Sequence, residues 1–204
     1  MTNREKYNKV FFDCFSVTED GIKWWICIPM YTCLGFCWSY GNNINETSKS
    51  IFNKIKDSRY ATRYLIGNGI DIGSGPVNLN EYREFFPLMK SCRAWDVPDG
   101  DAELMESIED NYFDFVHSSH CLEHMVNPYI SLNNWIRILK PGGHLVCIIP
   151  DEDLYEQGVF PSTFNPDHKH TFTIHKTKSW SNKSINLIQM LSNTSFPIEI
   201  KKIE

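Results

Sequence analysis

The stretch Gly69-Ile70-Asp71-Ile72-Gly73-Ser74-Gly75-Pro76 decides how the rest of the chain is read. It closes an apolar run that begins near Tyr64, and it predicts a buried strand whose carboxyl end turns on a pair of glycines. A glycine turn at that end of a strand lets a ligand approach the backbone, where open α/β sheets bind their ligands. The dinucleotide fingerprint needs a third glycine three residues after the second, but Gly75 is followed by Pro76-Val77-Asn78. No Gly-Lys-Ser/Thr run occurs, so the Walker phosphate loop is absent as well. Asp71 would repel a phosphate and suits a cationic or amine-bearing ligand. Taken alone, the loop reads equally well as a plain structural turn.

Outward from this loop, strands and helices alternate. FDFVHSS, from Phe113, predicts a second strand. Pro128 to Leu139 predicts a helix with Ile130, Leu132, Trp135, Ile136 and Leu139 on one side, stopped by Lys140-Pro141-Gly142-Gly143. His144 to Pro150 reads as a buried strand, Ser184 to Ser192 as helical, and Ile198 to Ile203 as a last strand with period two. This order implies a mostly parallel, Rossmann-like α/β sheet with flanking helices. Upstream, residues 9 to 28 read as a β-hairpin about Thr18-Glu19-Asp20-Gly21, residues 41 to 50 as a polar linker, and Ser50 to Asp57 as a helix. Residues 1–45 are therefore a small β-rich appendage without an assigned role, and 46–204 the α/β domain.

Composition narrows the function. The chain has 204 residues, 20 Lys+Arg against 25 Asp+Glu and a net charge of −5, which weighs against a nucleic-acid acceptor held through phosphates. Seven irregularly spaced cysteines do not make a disulfide framework, so reduced thiols and a cytoplasmic protein are expected. The gaps in Cys27, Cys33 and Cys37 do not suit zinc. Met1 to Lys9 is polar and leads into no secretory-type core. Trp24 to Tyr40 carries no charge, but Pro29, Thr32, Gly35 and Ser39 interrupt it, and it falls short of the about 20 residues of a membrane helix. No membrane span is expected.

The blocks GIDIGSGP at 69–76, GDA at 100–102, FDFVHSSHCLEHM at 113–125 and LKPGGHLVCIIPD at 139–151 follow one another in the order of a known family. In these blocks the chain resembles the class I S-adenosylmethionine-dependent methyltransferases, particularly the type 11 group, over roughly residues 64 to 204. The resemblance implies S-adenosylmethionine as cofactor. Gly73, Ser74 and Gly75 would then turn beneath its methionine and ribose parts, and Asp71 would hold its amino group. Asp101 and Ala102 would meet adenine, through a carboxylate and a backbone N–H. Ser118 and Ser119 would close over the sulfonium, and Asp96 is the candidate for the ribose hydroxyls.

The sequence also departs from the family. Only Val97 to Gly100 separates Asp96 from Asp101, too short for the usual helix, so one strand–helix unit is missing or collapsed. At the carboxyl end, IEIKKIE can supply a sixth strand and nothing remains for a seventh.

Methyl transfer needs positioning, plus a base when the acceptor is a hydroxyl. By similarity to sugar O-methyltransferases of the family, His124 is the base candidate, Asp151 its partner or a metal-facing acid, and His120 the alternative. His117 lies within its strand and reads as structural; Glu123 and His124 can also be read as merely capping and packing the next helix. The segment from Pro150 to Phe172 holds Glu152, Asp153, Tyr155, Glu156, Asp167, His168 and His170, a mixture of acids and aromatics that suits a sugar. Its spacing matches no familiar metal site, and no metal is expected. The reading is a methyltransferase acting on a small polar acceptor, most plausibly a sugar or nucleotide-sugar hydroxyl, with oligomerisation left open. Its rivals are a methyltransferase-like scaffold subunit without turnover, and a nicotinamide enzyme, which the missing third glycine disfavours.

Overall fold

The computed structural model describes residues 51 to 203, except 52 and 175. The hairpin at 9–28, the linker, the rest of the appendage and its cysteines lie outside the described residues. Four strands form the main sheet: β1 (Gly67–Ile72), β2 (Met89–Trp95), β3 (Phe113–Ser119) and β4 (Leu139–Ile148). Their order is β2-β1-β3-β4, and every pairing is parallel. The chain leaves β1 toward one edge and β3 toward the other, so the two carboxyl ends diverge at the crevice where Rossmann-like sheets take ligands.

Both faces of the sheet are covered, as parallel sheets require. Ile70, Ile72 and Val116 face one core with Leu132 and Trp135 of helix α1 (Pro128–Arg137). Phe115 and Met89 face the other, against Ile51, Tyr60, Leu65, Leu79 and Phe86. Helix α1 starts because Asn127 accepts from the Tyr129 and Ile130 N–H groups, and Pro128 fits its first turn.

The missing unit is seen directly. Between β2 and β3 there is neither strand nor α-helix, only a short 3₁₀ turn (Val97–Asp99) and the loop that follows it. That loop is pinned by α1: Trp135 Nε1 donates to the Ala102 carbonyl at 2.8 Å, Asn134 to the Glu103 carbonyl at 3.0 Å, and Arg137 to the Met105 and Ile108 carbonyls at 3.0 and 2.9 Å.

Several expectations are corrected. In α1 the buried side is Pro128, Ser131, Leu132 and Trp135, while Ile130 is exposed. Lys140-Pro141-Gly142-Gly143 does not stop the helix. α1 ends at Arg137, and this tetrapeptide lies within β4, where the register against β3 shifts between Phe113 and Phe115. The bulge carries the proline through the ladder. Ser184 to Ser192 is half strand: β6 (Ser184–Asn186) pairs with β5 (Thr171–Thr173), and only Leu187–Ser192 is helical, as α2. Residues 197–203 form no strand, pair with no strand among the described residues, and leave their isoleucines exposed.

Gly69 sits opposite Phe115, and a Cβ added there would lie 2.2 Å from the Phe115 ring. Gly69→Ala must displace a wholly buried aromatic and is expected to cost about 1–3 kcal/mol, read as a lower urea midpoint with an unchanged slope.

Candidate active site

The glycine loop is held from three sides. The Gly73 N–H donates to the Trp95 carbonyl at 2.9 Å, and the Gly75 N–H donates to Asp96 Oδ2 at 2.8 Å. Gly73 and Gly75 both adopt positive φ, +72° and +61°, the left-handed region that glycine reaches without strain. A Cβ on Gly73 would meet Cys121 Sγ at 2.6 Å. Ser74 is buried between the two glycines.

Asp71 is 0% exposed. Its Oδ2 accepts from the Leu79 N–H at 2.7 Å, and its Oδ1 lies 2.7 Å from His117 Nδ1. Both oxygens are thus engaged inside the protein, and the carboxylate braces the loop from beneath. Asp96 follows the last residue of β2 directly. It caps the turn at 97–99 through the Val97 N–H and stands on the Gly75 N–H. Ser118 and Ser119 complete β3 and are buried. Cys121, beside them, has its thiol pushed up to about 12 by burial and by the Glu123 carboxylate, so it is no nucleophile.

Asp101 and Ala102 differ from the rest. Asp101 is exposed; its Oδ1 accepts from the Glu103 N–H at 2.7 Å, while its Oδ2 and the Ala102 N–H have no partner among the described residues. Asp101 lines a cleft of about 320 Å³ with Glu103, His124, Met125 and Val126. A free carboxylate oxygen beside a free N–H matches the amine-and-acceptor edge of adenine. The chemistry of this pair is compatible with the adenine end of the cofactor that the resemblance implies. A larger cleft of about 470 Å³, lined by Arg59, Arg63, Tyr64, Ile66, His144 and Lys201, lies at the amino end of β1, away from this crevice.

His124 shares the Asp101 cleft. Its Nδ1 is 3.1 Å from Asp167 Oδ2, its ring packs edge-on against His168, and burial and then the neighbouring His168 hold its pKa below the usual histidine value. His120, just after β3, adopts φ +54°, a strained conformation for a non-glycine residue, with its N–H donating to the Ile148 carbonyl. Its Nδ1 is 3.6 Å from Glu123 Oε1. Asp151 lies elsewhere: its Oδ1 accepts from the Asp153 and Leu154 N–H groups and caps the turn at 152–156.

Glu123, Glu156 and His168 form a buried cluster that the family resemblance does not single out. The sequence signal is the acid–His pair Glu123-His124 together with the histidine-rich 168–170 run, but nothing in it shows that the two meet. They meet because the Glu123 carbonyl accepts from the Lys169 and His170 N–H groups at 2.8 and 3.2 Å.

Residues 67–147 match the family model described as a methyltransferase domain, of the type 11 group. No curated protein matches the chain. Among solved structures, the chain is similar to a SAM-dependent methyltransferase from Archaeoglobus fulgidus, with a TM-score of 0.48 and 18% identity over 71% of this chain and 68% of that one. It is also similar to a chain of the Haloferax volcanii complex between the Trm112 methyltransferase activator and a candidate methyltransferase (0.39, 20%, 54% and 57%). A Bacillus halodurans C-125 protein described as a methyltransferase gives 0.38 and 22% over 52% and 50%. The chain thus spans about half the length of the latter two.

The segment carrying His168 is anchored by Glu152, which is wholly buried. Burial opposes its charge, but the Ser184, Ser179, Lys176 and Thr171 side chains together outweigh it and hold its pKa below the 4.5 of an unperturbed glutamate. A depressed carboxylate contributes stability that is full above its unfolded pKa and lost as pH falls through the folded one. Urea midpoints are therefore expected to fall as pH drops below 4.5, and Glu152→Gln to be less stable at neutral pH with a flatter acid limb.

Proposed function

With residues 67–147 a class I S-adenosylmethionine-dependent methyltransferase domain, we propose that the chain methylates a hydroxyl of a small polar acceptor, a sugar or nucleotide sugar. S-adenosylmethionine supplies an electrophilic methyl group on a sulfonium and leaves as S-adenosylhomocysteine. Asp101 and Ala102 would hold adenine, Asp96 the ribose hydroxyls, and the backbone of Gly73, Ser74 and Gly75 the methionine part. Ser118 and Ser119 would wall the crevice at the end of β3. Asp71 would act through the loop it braces.

The observation that carries this reading is that Asp101 and His124 line one cleft. An adenine-holding carboxylate and a proton acceptor on the same cleft let cofactor and acceptor bind side by side, and positioning is most of what methyl transfer requires. With its Nδ1 proton donated to Asp167, His124 keeps the Nε2 lone pair for the acceptor proton, and its lowered pKa leaves the ring neutral at pH 7. His120 is the alternative base. The aromatic faces of Tyr155 and Phe164, whose ring centroids are 5.8 Å apart, support a sugar acceptor that stacks through its C–H edges. A cytoplasmic location agrees with free thiols at Cys92, Cys121 and Cys147, and no helix among the described residues is long and apolar enough to cross a membrane.

The scaffold reading has one observation in its favour, a main sheet of four strands among the described residues. Calorimetric titration with S-adenosylmethionine and S-adenosylhomocysteine tests the cofactor first. Micromolar binding, about −8 kcal/mol, is expected, weakened about 10- to 100-fold in Asp101→Ala by loss of a bond to a charged group. No binding of either ligand by folded protein overturns the reading. Incubation with nucleotide sugars then separates enzyme from scaffold. His124→Ala is expected to cut turnover about 10²- to 10⁴-fold while cofactor affinity stays unchanged.

A further inference from the structure

The chemistry just proposed leaves the Glu123 cluster unexplained. Glu123 and His168 are buried and His124 is half-buried, and one ligand atom from each lies within 4.8 Å of the others. His168 Nε2 is 3.8 Å from Glu123 Oε1, and His124 Nε2 is 4.0 Å from the same oxygen. Both separations exceed hydrogen-bond length. They approach the spacing of two ligands on one ion, since bonds of about 2.0–2.1 Å put tetrahedral neighbours roughly 3.4 Å apart.

The outer ring nitrogens supply the second observation. His168 Nδ1 is 2.5 Å from Glu156 Oε1, buried with it, and His124 Nδ1 is 3.1 Å from Asp167 Oδ2. Each histidine therefore has a carboxylate on Nδ1 and turns Nε2 to Glu123. Carboxylate-held histidines converging on a third ligand are the usual outer support of a metal centre, because the carboxylate fixes the tautomer and makes Nε2 a better donor.

We propose that Glu123, His124 and His168 bind one divalent transition ion of the zinc class, with Glu156 and Asp167 orienting the two histidines. Two imidazoles and a carboxylate suit zinc better than magnesium or calcium, which favour all-oxygen sets. Three protein ligands would leave a fourth position for water, as in zinc centres that keep an open site. With the ion in place, His120 becomes the histidine left to accept a proton. The metal proposal stands on the cluster alone, whether or not the chain transfers methyl groups.

The test is a titration of the full chain, stripped by chelator and dialysed, with zinc in competition against a chromophoric chelator, and with cobalt followed by visible absorption. One equivalent at micromolar affinity or tighter is expected, with cobalt d–d bands and no sulfur charge-transfer band. Glu123→Gln and His168→Gln are expected to weaken binding at least tenfold, and Glu156→Gln about 10- to 100-fold, as outer-ligand changes do. Circular dichroism checks that each variant is folded. If one does not fold, His124→Gln, at a part-exposed position, carries the same expectation. No binding by folded protein, a thiolate band, or affinity unchanged by these variants overturns the site. S-adenosylmethionine titrated in parallel keeps the two conclusions apart: zinc binding without cofactor binding leaves this site standing and removes the methyltransferase reading.

Discussion

The contact between Asp71 and His117 fixes the frame in which every other part of the crevice is placed. The two residues face each other across β1 and β3, both wholly buried, at 2.7 Å. Polar groups so deep are tolerated only when they are hydrogen-bonded. Asp71 is satisfied by His117 and by the Leu79 N–H, so both ends of the glycine loop are set by one carboxylate. The Tyr60 hydroxyl, 3.4 Å from His117 Nε2, extends the chain of contacts into the layer that covers the opposite core. Removing one partner would leave the other buried without compensation, so a change at Asp71 acts on the fold before it acts on any ligand.

The loss of a strand–helix unit is offset by α1. Asn134, Trp135 and Arg137 take up the carbonyls of the loop between Ala102 and Ile108. A segment that would otherwise need its own helix is thereby given a fixed path, with Asp101 and Ala102 at its start. The start of this loop is thus held by a hydrogen bond from α1, through Trp135 Nε1 to the Ala102 carbonyl.

The strands whose sequences are continuous and apolar were legible. FDFVHSS is β3 residue for residue, and the glycine loop falls where its pattern predicts. Reading failed where a local pattern depends on what lies beside it. Pro141 and Gly142 look like a helix stop, yet a bulge carries them into β4. IEIKKIE alternates like a strand and pairs with no strand among the described residues. Ile130 has helical spacing but falls outside the stripe formed by Leu132 and Trp135. Asp71, Asp96 and Asp101 were legible only through the family resemblance, and they lie within β1, directly after β2 and in the loop that follows. The meeting of Glu123 with His168 was not, since it depends on how residues 150 to 173 return to the end of β3.

That return has a kinetic consequence. The contacts joining Glu123 and His124 to Asp167, Lys169 and His170 link residues more than forty positions apart. Closing so long a loop costs entropy before any contact rewards it. The return also buries Phe172, Ile185 and Met190 in the core shared with β1, β3 and α1, so packing ties the segment to the sheet as firmly as these hydrogen bonds do. The β1–β3 pairing, which sets Gly69 against Phe115, closes a loop of comparable length, so sheet and crevice belong alike to the non-local, slow-forming part of the fold.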